Sequence, residues 1–269
     1  YPILKKYYGL DLSQLSLNSH SLASSRVVIL DPEQSRELKK NSKFDNLISY
    51  HSYKERISNA RSFYPKQRGI GLWIKTLYEK FEKRGGKIIK GVNIDSAEIS
   101  DRTINNIELN DNQNIPCDFI FCSISPAIIF NITRTPFPKN VTKPLVVDAA
   151  LIHMEFDEKF LTDLYYLNCF DPDMLSFRVT LYSNFRESLF DTKKQYLTVE
   201  CFLNNRNINE EDVIKIVVSE LKKMKIINKD ANYVFAKLIR LTNGFPIPSI
   251  KMKKSSSKLL SEAKTKFKN

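Results

Sequence analysis

Apolar residues recur at helical spacing from position 70, where Ile70, Trp73, Ile74, Leu77 and Phe81 share one face and Gly85-Gly86 follows. That spacing predicts one amphipathic helix closed by a left-handed cap. Three short runs come next, "KIIKGVNIDSAEI", "RTINNIELND" and "CDFIFCSI", separated by Gly, Asp and Asn, and each reads as a strand. The last is apolar at nearly every position, as in a strand buried on both faces. A helix ending in Gly-Gly and feeding such strands is a mixed α/β unit.

From Lys143 onward the pattern changes to longer alternating segments: "PLVVDAALIHMEF", "LYYLNCF", "LSFRVTLYS", "QYLTVECFL" and "NYVFAKLIRLT". These predict an antiparallel sheet. Alternation in the third sends Phe177, Val179 and Leu181 to one face and Arg178, Thr180 and Tyr182 to the other. The fourth carries a similar polar stripe of Tyr196, Thr198 and Glu200. Arg178 and Glu200 are thus placed either to pair across strands or to line a sugar- or phosphate-binding sheet face. Between the last two segments, Val213, Ile216, Val217, Leu221 and Met224 form one helical face, with acids in the first turn and lysines in the last. That helix should cover one side of the sheet. Residues 1–60, with the serine-rich "LSLNSHSLASSR" and a short "VVIL", read as irregular connecting structure. No repeat of fixed period occurs, and the two subregions meet near residue 140.

Composition adds bounds. The 269 residues are 42% hydrophobic, enough for a real core. No run of about 18 apolar residues exists to form a membrane span, and "YPILKKYYGLDL" lacks the layout of a signal peptide. A cytoplasmic protein is the expectation. The four cysteines, at 117, 122, 169 and 201, form no C-x-x-C pair, and the three histidines, at 20, 51 and 153, are scattered. A reducing compartment and no metal follow as the simpler expectation. The net charge of +12 would attract phosphates, nucleic acid or anionic lipid. Its one dense cluster is "KMKKSSSK" at 251–258, followed by the helix-like "LLSEAKTKFKN"; a solvated loop or tail is the plain reading. Without aromatic interleaving or a readable motif, no specific nucleic-acid partner is expected. Contact with an anionic or membrane surface stays open, as does the oligomeric state.

The stretch "YPKQRGIGLWIKTL" sets Gly69 and Gly71 one residue apart where the first helix begins. A dinucleotide fingerprint needs G-x-G-x-x-G after a strand. Position 74 is Ile74, and the preceding "RSFYPKQR" reads as loop. No Gly-Lys-Ser or Gly-Lys-Thr occurs, and the seven glycines of the chain supply no fingerprint elsewhere. The loop is therefore not a complete phosphate grip.

The order "FYPKQRGIGLWIKTLYEKFEKRGGKIIKGVNID … CDFIFCSISP" resembles the interior of the FAD-dependent amine oxidase and protoporphyrinogen oxidase superfamily, which includes UDP-galactopyranose mutase-like flavoproteins. There a Tyr-Pro-Lys-Gly-Gly-like loop opens a helix ending in Gly-Gly, a strand bearing a valine follows, and a later strand closes in a Pro-Pro-like turn. "PILKKYYGLDLSQL", "FRVTLYSNF" and "GFPIPS" look like the sugar-biosynthesis branch. Departures are equally specific. Neither the Rossmann fingerprint nor the second FAD motif is present, Gln67-Arg68 replaces a usual glycine, and Ser125-Pro126 stands for Pro-Pro. The resemblance implies an α+β chain, α/β overall: part of an FAD-binding Rossmann-like domain plus a substrate domain whose mixed, largely antiparallel sheet is covered by helices. Residues 1–60 would be a connecting segment of the substrate domain, 61–140 the partial FAD-binding domain, and 141–250 the sheet domain. Residues 251–269 would be a basic helix leading back to the FAD domain.

Flavin chemistry resides in the ring, with protein supplying orientation and electrostatics, so no catalytic residue is named. By resemblance, FAD would be approached by the backbone of Val92, by the turn Ser123, Ile124, Ser125 and Pro126, and by Gly69 and Gly71, which permit close backbone contact. Substrate would meet Tyr64, Lys66 and Arg68, the last with a fork suited to phosphate or carboxylate, together with Arg178, Tyr182 and Phe245. Each has a plain structural reading beside it: Val92 an ordinary strand residue, Ser125-Pro126 and the Phe245 turn rigid corners, and the basic loop a solvated one. The function implied is an FAD-dependent oxidoreductase or flavin-dependent mutase for a small polar substrate, such as a nucleotide-linked sugar of polysaccharide or cell-envelope biosynthesis. The alternative is a module without cofactor that holds an anionic partner; binding to nucleic acid or membrane by charge alone comes third.

Overall fold

A computed structural model of the chain describes residues 2–17, 19, 26, 28, 30–49, 64–65, 69–123, 125–185, 189, 192–203 and 207–268. The chain divides into two units, one of residues 1–78 and 145–247 and the other of residues 79–144 and 248–269.

The first unit is built on a five-stranded antiparallel sheet of order β5-β6-β7-β4-β8. Its strands are β4 (Val146–Phe156), β5 (Tyr166–Asn168), β6 (Ser176–Leu181), β7 (Gln195–Phe202) and β8 (Phe235–Pro246). Alternation decides its two faces. Ala150, Ile152, Met154 and Phe156 of β4, Leu197, Val199 and Cys201 of β7, and Val179 and Leu181 of β6 point to one side. There they meet Val213, Val217 and Leu221 of helix α6 (Glu210–Lys223). Each such aliphatic side chain contributes about 1.5–3 kcal/mol by leaving water. Asn209 caps α6 by accepting from the Asp212 N–H, three acids fill the first turn, and Lys222 and Lys223 lie in the last.

Helix α6 also ties down the β5–β6 hairpin. Its buried Glu220 accepts from Leu175 N at 2.5 Å, Ser176 N at 2.8 Å and Ser176 Oγ at 2.5 Å. On the hairpin's carbonyls, Lys6 Nζ donates to Cys169, Asp171 and Ser176 at 2.9, 2.7 and 2.7 Å. At the same place β6 departs from strict alternation. Ser176 pairs with Cys201 and Arg178 with Glu200, so two steps on β6 match one on β7. This bulge turns Phe177 away from Val179 and Leu181 into a second cluster.

That second cluster explains why the first 60 residues are not merely connecting structure. Helix α1 (Pro2–Tyr8) sets Leu4, Tyr7 and Tyr8 against Val147, Phe177 and Ile247. Two more helices follow, α2 (Pro32–Lys39) and α3 (Ser42–Asp45). Asp31 starts α2 by accepting from Glu33 and Gln34 N–H groups, with Pro32 in the first turn, a start signal hidden by the polar composition.

Helix α4 (Ile70–Lys83) runs across the boundary at residue 78 and ends as its glycines predict. Gly85 has φ +86°, Gly86 N donates to Phe81 O, and Gly85 N donates to Glu82 O. A Cβ on Gly86 would lie 2.3 Å from the Phe81 ring, so the first glycine serves conformation and the second serves space.

The second unit holds a three-stranded antiparallel meander, β1 (Ile94–Ser100), β2 (Thr103–Leu109) and β3 (Asn114–Pro116), with helices α5 (Ala127–Ile132) and α7 (Ile250–Lys266). Ile104, Phe130, Leu259, Ala263 and Phe267 form its core. The Thr142 N–H donates to Ser255 Oγ at 3.1 Å, and Lys268 N donates to Arg102 O at 2.8 Å. One expectation fails here. The apolar run at 117–123 joins neither sheet, and Phe119 and Phe121 are 78% and 98% exposed. A strand apolar on both sides needs neighbours on both edges and both faces; among the described residues Cys117 N donates to Asn105 O and Cys117 and Ile120 pack on the core, while Phe119 and Phe121 are left uncovered. The run at 87–93 likewise lies outside the strands. Among the described residues, no helix is long and apolar enough to cross a membrane.

Candidate functional site

Opposite the α6-covered face, the sheet of the first unit presents polar side chains in cross-strand rows. Tyr166, Thr180, Thr198, His153 and Lys237 stand in register across all five strands. Asn168, Arg178, Glu200, Leu151 and Ile239 form the next row, and Tyr196, Glu155 and Phe235 begin a third. The period of two that buries Ile152 and Val199 is what brings His153 and Thr198 to this side.

Hydrogen bonds fix the rows. Arg178 Nε and Nη2 donate to Glu200 Oε1 at 2.6 and 2.5 Å. His153 Nδ1 and Thr198 Oγ1 are 2.8 Å apart. Lys194 Nζ lies 2.6 Å from Glu155 Oε1, and that carboxylate raises the Lys194 ammonium above its usual range. Both guanidinium donors converge on one oxygen of Glu200, so the pair leaves the Arg178 fork only partly used. The face therefore offers one cationic fork, the exposed Lys237 ammonium, hydroxyls, an imidazole and the Asn168 amide, the functional set that binds a hydroxylated or phosphorylated ligand.

Aromatic residues bound the face. At one end Tyr7, Phe177, Phe202 and Phe245 pack edge-on or stacked, with Phe202–Phe245 centroids 5.7 Å apart. At the other, Phe185 receives the rings of Tyr64, Tyr165 and Tyr182 at 4.7, 5.7 and 5.7 Å. Beside Tyr182 an open cavity of about 770 Å³ is lined by Lys159, Thr162, Asp163, Ser183, Asn184 and Gln195, among others.

No protein-family model and no curated protein matches the sequence. Solved structures do match the fold. A reduced UDP-galactopyranose mutase is similar over 97% of this chain and 55% of its own, with TM-score 0.69 at 14% identity. A structure from Exiguobacterium named for protoporphyrinogen oxidase is similar over 74% of this chain and 44% of its own, with TM-score 0.56 at 12% identity. An oxidoreductase from Methanosarcina mazei is similar over 66% of this chain and 43% of its own, with TM-score 0.53 at 16% identity. The likeness is one of fold, shared with the mutase and the two other structures. The chain spans about half the length of these structures.

Within this fold, the residues named from sequence fall in several places. Arg178 lies on the open sheet face, paired with Glu200. Tyr182 follows β6 directly and shares Phe185 with Tyr64, so these two come together. Phe245 sits at the opposite aromatic end. Lys66, Arg68 and Ile124 lie outside the described residues. Gly69 is buried with φ +61°, and a Cβ there would come 2.8 Å from Tyr64 Oη, so the loop closes on its own tyrosine. Gly71 is exposed, and among the described residues a Cβ would meet nothing within 4 Å.

In the second unit Val92 is half-buried just after Gly91, which has φ +73°. Ser123 is exposed. Ser125 Oγ accepts from Ala127 N at 3.3 Å and Pro126 precedes α5, so this pair opens a helix. Sequence reasoning missed His153, Glu155 and Lys237. Alternation within "LIHMEF" and "FAKLIR" carried the signal, since each sits between residues of the buried face.

Proposed function

We propose that the chain is the interior part of a flavoenzyme, an FAD-dependent oxidoreductase or redox-dependent mutase acting on a nucleotide-linked sugar. The observation that carries this reading is the likeness to the mutase over 97% of the chain, which takes in the open polar sheet. The polar rows suit the substrate class. Hydroxyls and an imidazole match a sugar, and the Arg178 fork matches a phosphate oxygen.

The residues present fit a wall beside FAD and not the grip on its phosphates. Gly71 leaves open space at the first turn of α4, where backbone can approach a planar group. Val92 and Ser125 would lie beside the cofactor, while no G-x-G-x-x-G occurs among the seven glycines. When bound, the flavin supplies hydride acceptance or, once reduced, a nucleophilic ring nitrogen. This chain's residues would bind and orient the sugar and keep water from it. The uncovered Phe119 and Phe121 are in keeping with a sheet completed by further residues.

Calorimetric titration of the full-length protein with UDP-sugars tests the substrate class. Binding that weakens about tenfold or more in Arg178→Ala supports it, because a lost charge-assisted contact is worth about 1.5–3 kcal/mol. Failure of every nucleotide sugar to bind the oxidised and the reduced protein would remove it.

A further inference from the structure

Helix α7 carries Lys251, Lys253, Lys254, Lys258, Lys264 and Lys266 against one acid, Glu262. All six lysines are exposed, and among the described residues none forms an ion pair, whereas Lys268 beyond the helix holds Asp101 at 2.6 Å. Ser255, Leu259 and Ala263 are buried, Leu259 and Ala263 packing with Ile104 and Phe130. That fixes which side of α7 faces out. At about 3.6 residues per turn, Ile250, Ser257 and Ser261 run along the middle of the outer side. Lys254 and Lys258 flank them on one edge, Lys253 and Lys264 on the other. Ile250 and Leu260 are each nearly half exposed among these charges.

We propose that this outer side of α7 is a docking surface for an anionic lipid bilayer. Lysines three and four positions apart repel one another along a helix, and an external layer of negative charge relieves that repulsion. The chemistry favours lipid over nucleic acid. All six cations are lysines, point charges without the fork that grips phosphate bidentately or reads guanine, and no Asn or Gln stands among them to read adenine. The helix is about 25 Å long. A straight row of that length, with Ile250 and Leu260 set among lysines, matches a flat headgroup layer into which short apolar side chains dip. This assignment rests on α7 alone and stands or falls apart from the flavin reading.

Co-sedimentation of the full-length protein with phosphatidylcholine vesicles, with and without phosphatidylserine, tests it at physiological salt. Binding is expected only with phosphatidylserine and should be released by raising salt. The triple variant Lys253→Gln, Lys254→Gln, Lys258→Gln should lower the partition coefficient on the order of a hundredfold. The variant Lys215→Gln, Lys225→Gln, Lys229→Gln, which removes the same charge elsewhere, should bind nearly as wild type. Equal loss in both triples, binding indifferent to phosphatidylserine, or tighter binding to duplex DNA at the same salt would overturn the proposal. Because salt release is read on the wild type, a folding defect in either variant leaves the test intact.

Discussion

Tyr7 is 1% exposed, and its Oη is buried without a hydrogen-bond partner among the described residues. Its ring lies edge-on to Phe177 at 4.4 Å and Phe202 at 5.4 Å, which holds α1 on the sheet. Tyr7→Phe keeps those ring contacts and removes the unpaired hydroxyl. An unsatisfied buried group costs about 1–3 kcal/mol, so the variant should gain roughly 1–2 kcal/mol. At about 2–4 °C per kcal/mol for a unit of this size, that is a rise in Tm of several degrees. The gain should widen in alkali. Burial pushes the Tyr7 phenol well above its ordinary value of 10.0 and raises Tyr8 as well. The unfolded chain therefore loses a proton first, and stability present below pH 10 falls as pH rises. Lys6 acts in the opposite sense, since burial lowers its ammonium from 10.5, so its contribution improves as pH climbs towards that value. Tyr7→Phe isolates the phenol. Urea unfolding of both proteins, followed from pH 8 to pH 11, is the assay. A loss of more than about 1 kcal/mol at neutral pH would mean the hydroxyl has a partner, and the reasoning would fail.

Other expectations follow from the same structure. Glu220→Ala removes the acceptor of three hydrogen bonds and leaves two buried backbone donors, so it should cost at least about 3 kcal/mol in denaturant unfolding. Wild-type stability in that variant would refute the clamp on the β5–β6 hairpin. Asp101 and Arg102 make the β1–β2 turn with φ +45° and +66°, and Arg102→Gly should stabilise by up to about 1 kcal/mol because Asp-Gly suits such a turn. A lower Tm would contradict it. Among the described residues a Cβ on Gly71 meets nothing within 4 Å beyond its own helix, so in Gly71→Ala Tm should hold or rise by the gain in helix propensity. FAD retention by the same variant should weaken, and unchanged retention would remove Gly71 from the cofactor wall.

The sheet and α6 were legible because one periodicity served both local conformation and burial. Val179, Val199 and Ile152 alternate with polar neighbours, and Asn209 with three acids marks the helix start. The Gly85-Gly86 cap was legible for a similar reason, each glycine answering a separate local demand. Phe177 was misassigned because a bulge is set by its partner strand, and nothing within "LSFRVTLYS" records the extra step opposite Glu200. The described part of the first 60 residues hid helices α1, α2 and α3 behind polar composition, although Asp31-Pro32 was a readable start. Residues 117–123 were read as a buried strand from their apolarity. That property states what the segment needs and not whether the described residues provide it. His153 and Lys237 were passed over because a row across strands becomes visible only once register is known.

The central proposal is that this chain forms part of a flavoenzyme whose grip on the FAD phosphates lies in other residues. The absorption spectrum of the full-length protein, purified and then incubated with FAD, tests it most directly. Bound-flavin bands that persist through gel filtration are the predicted result. A folded full-length protein that stays colourless and retains no FAD would contradict it.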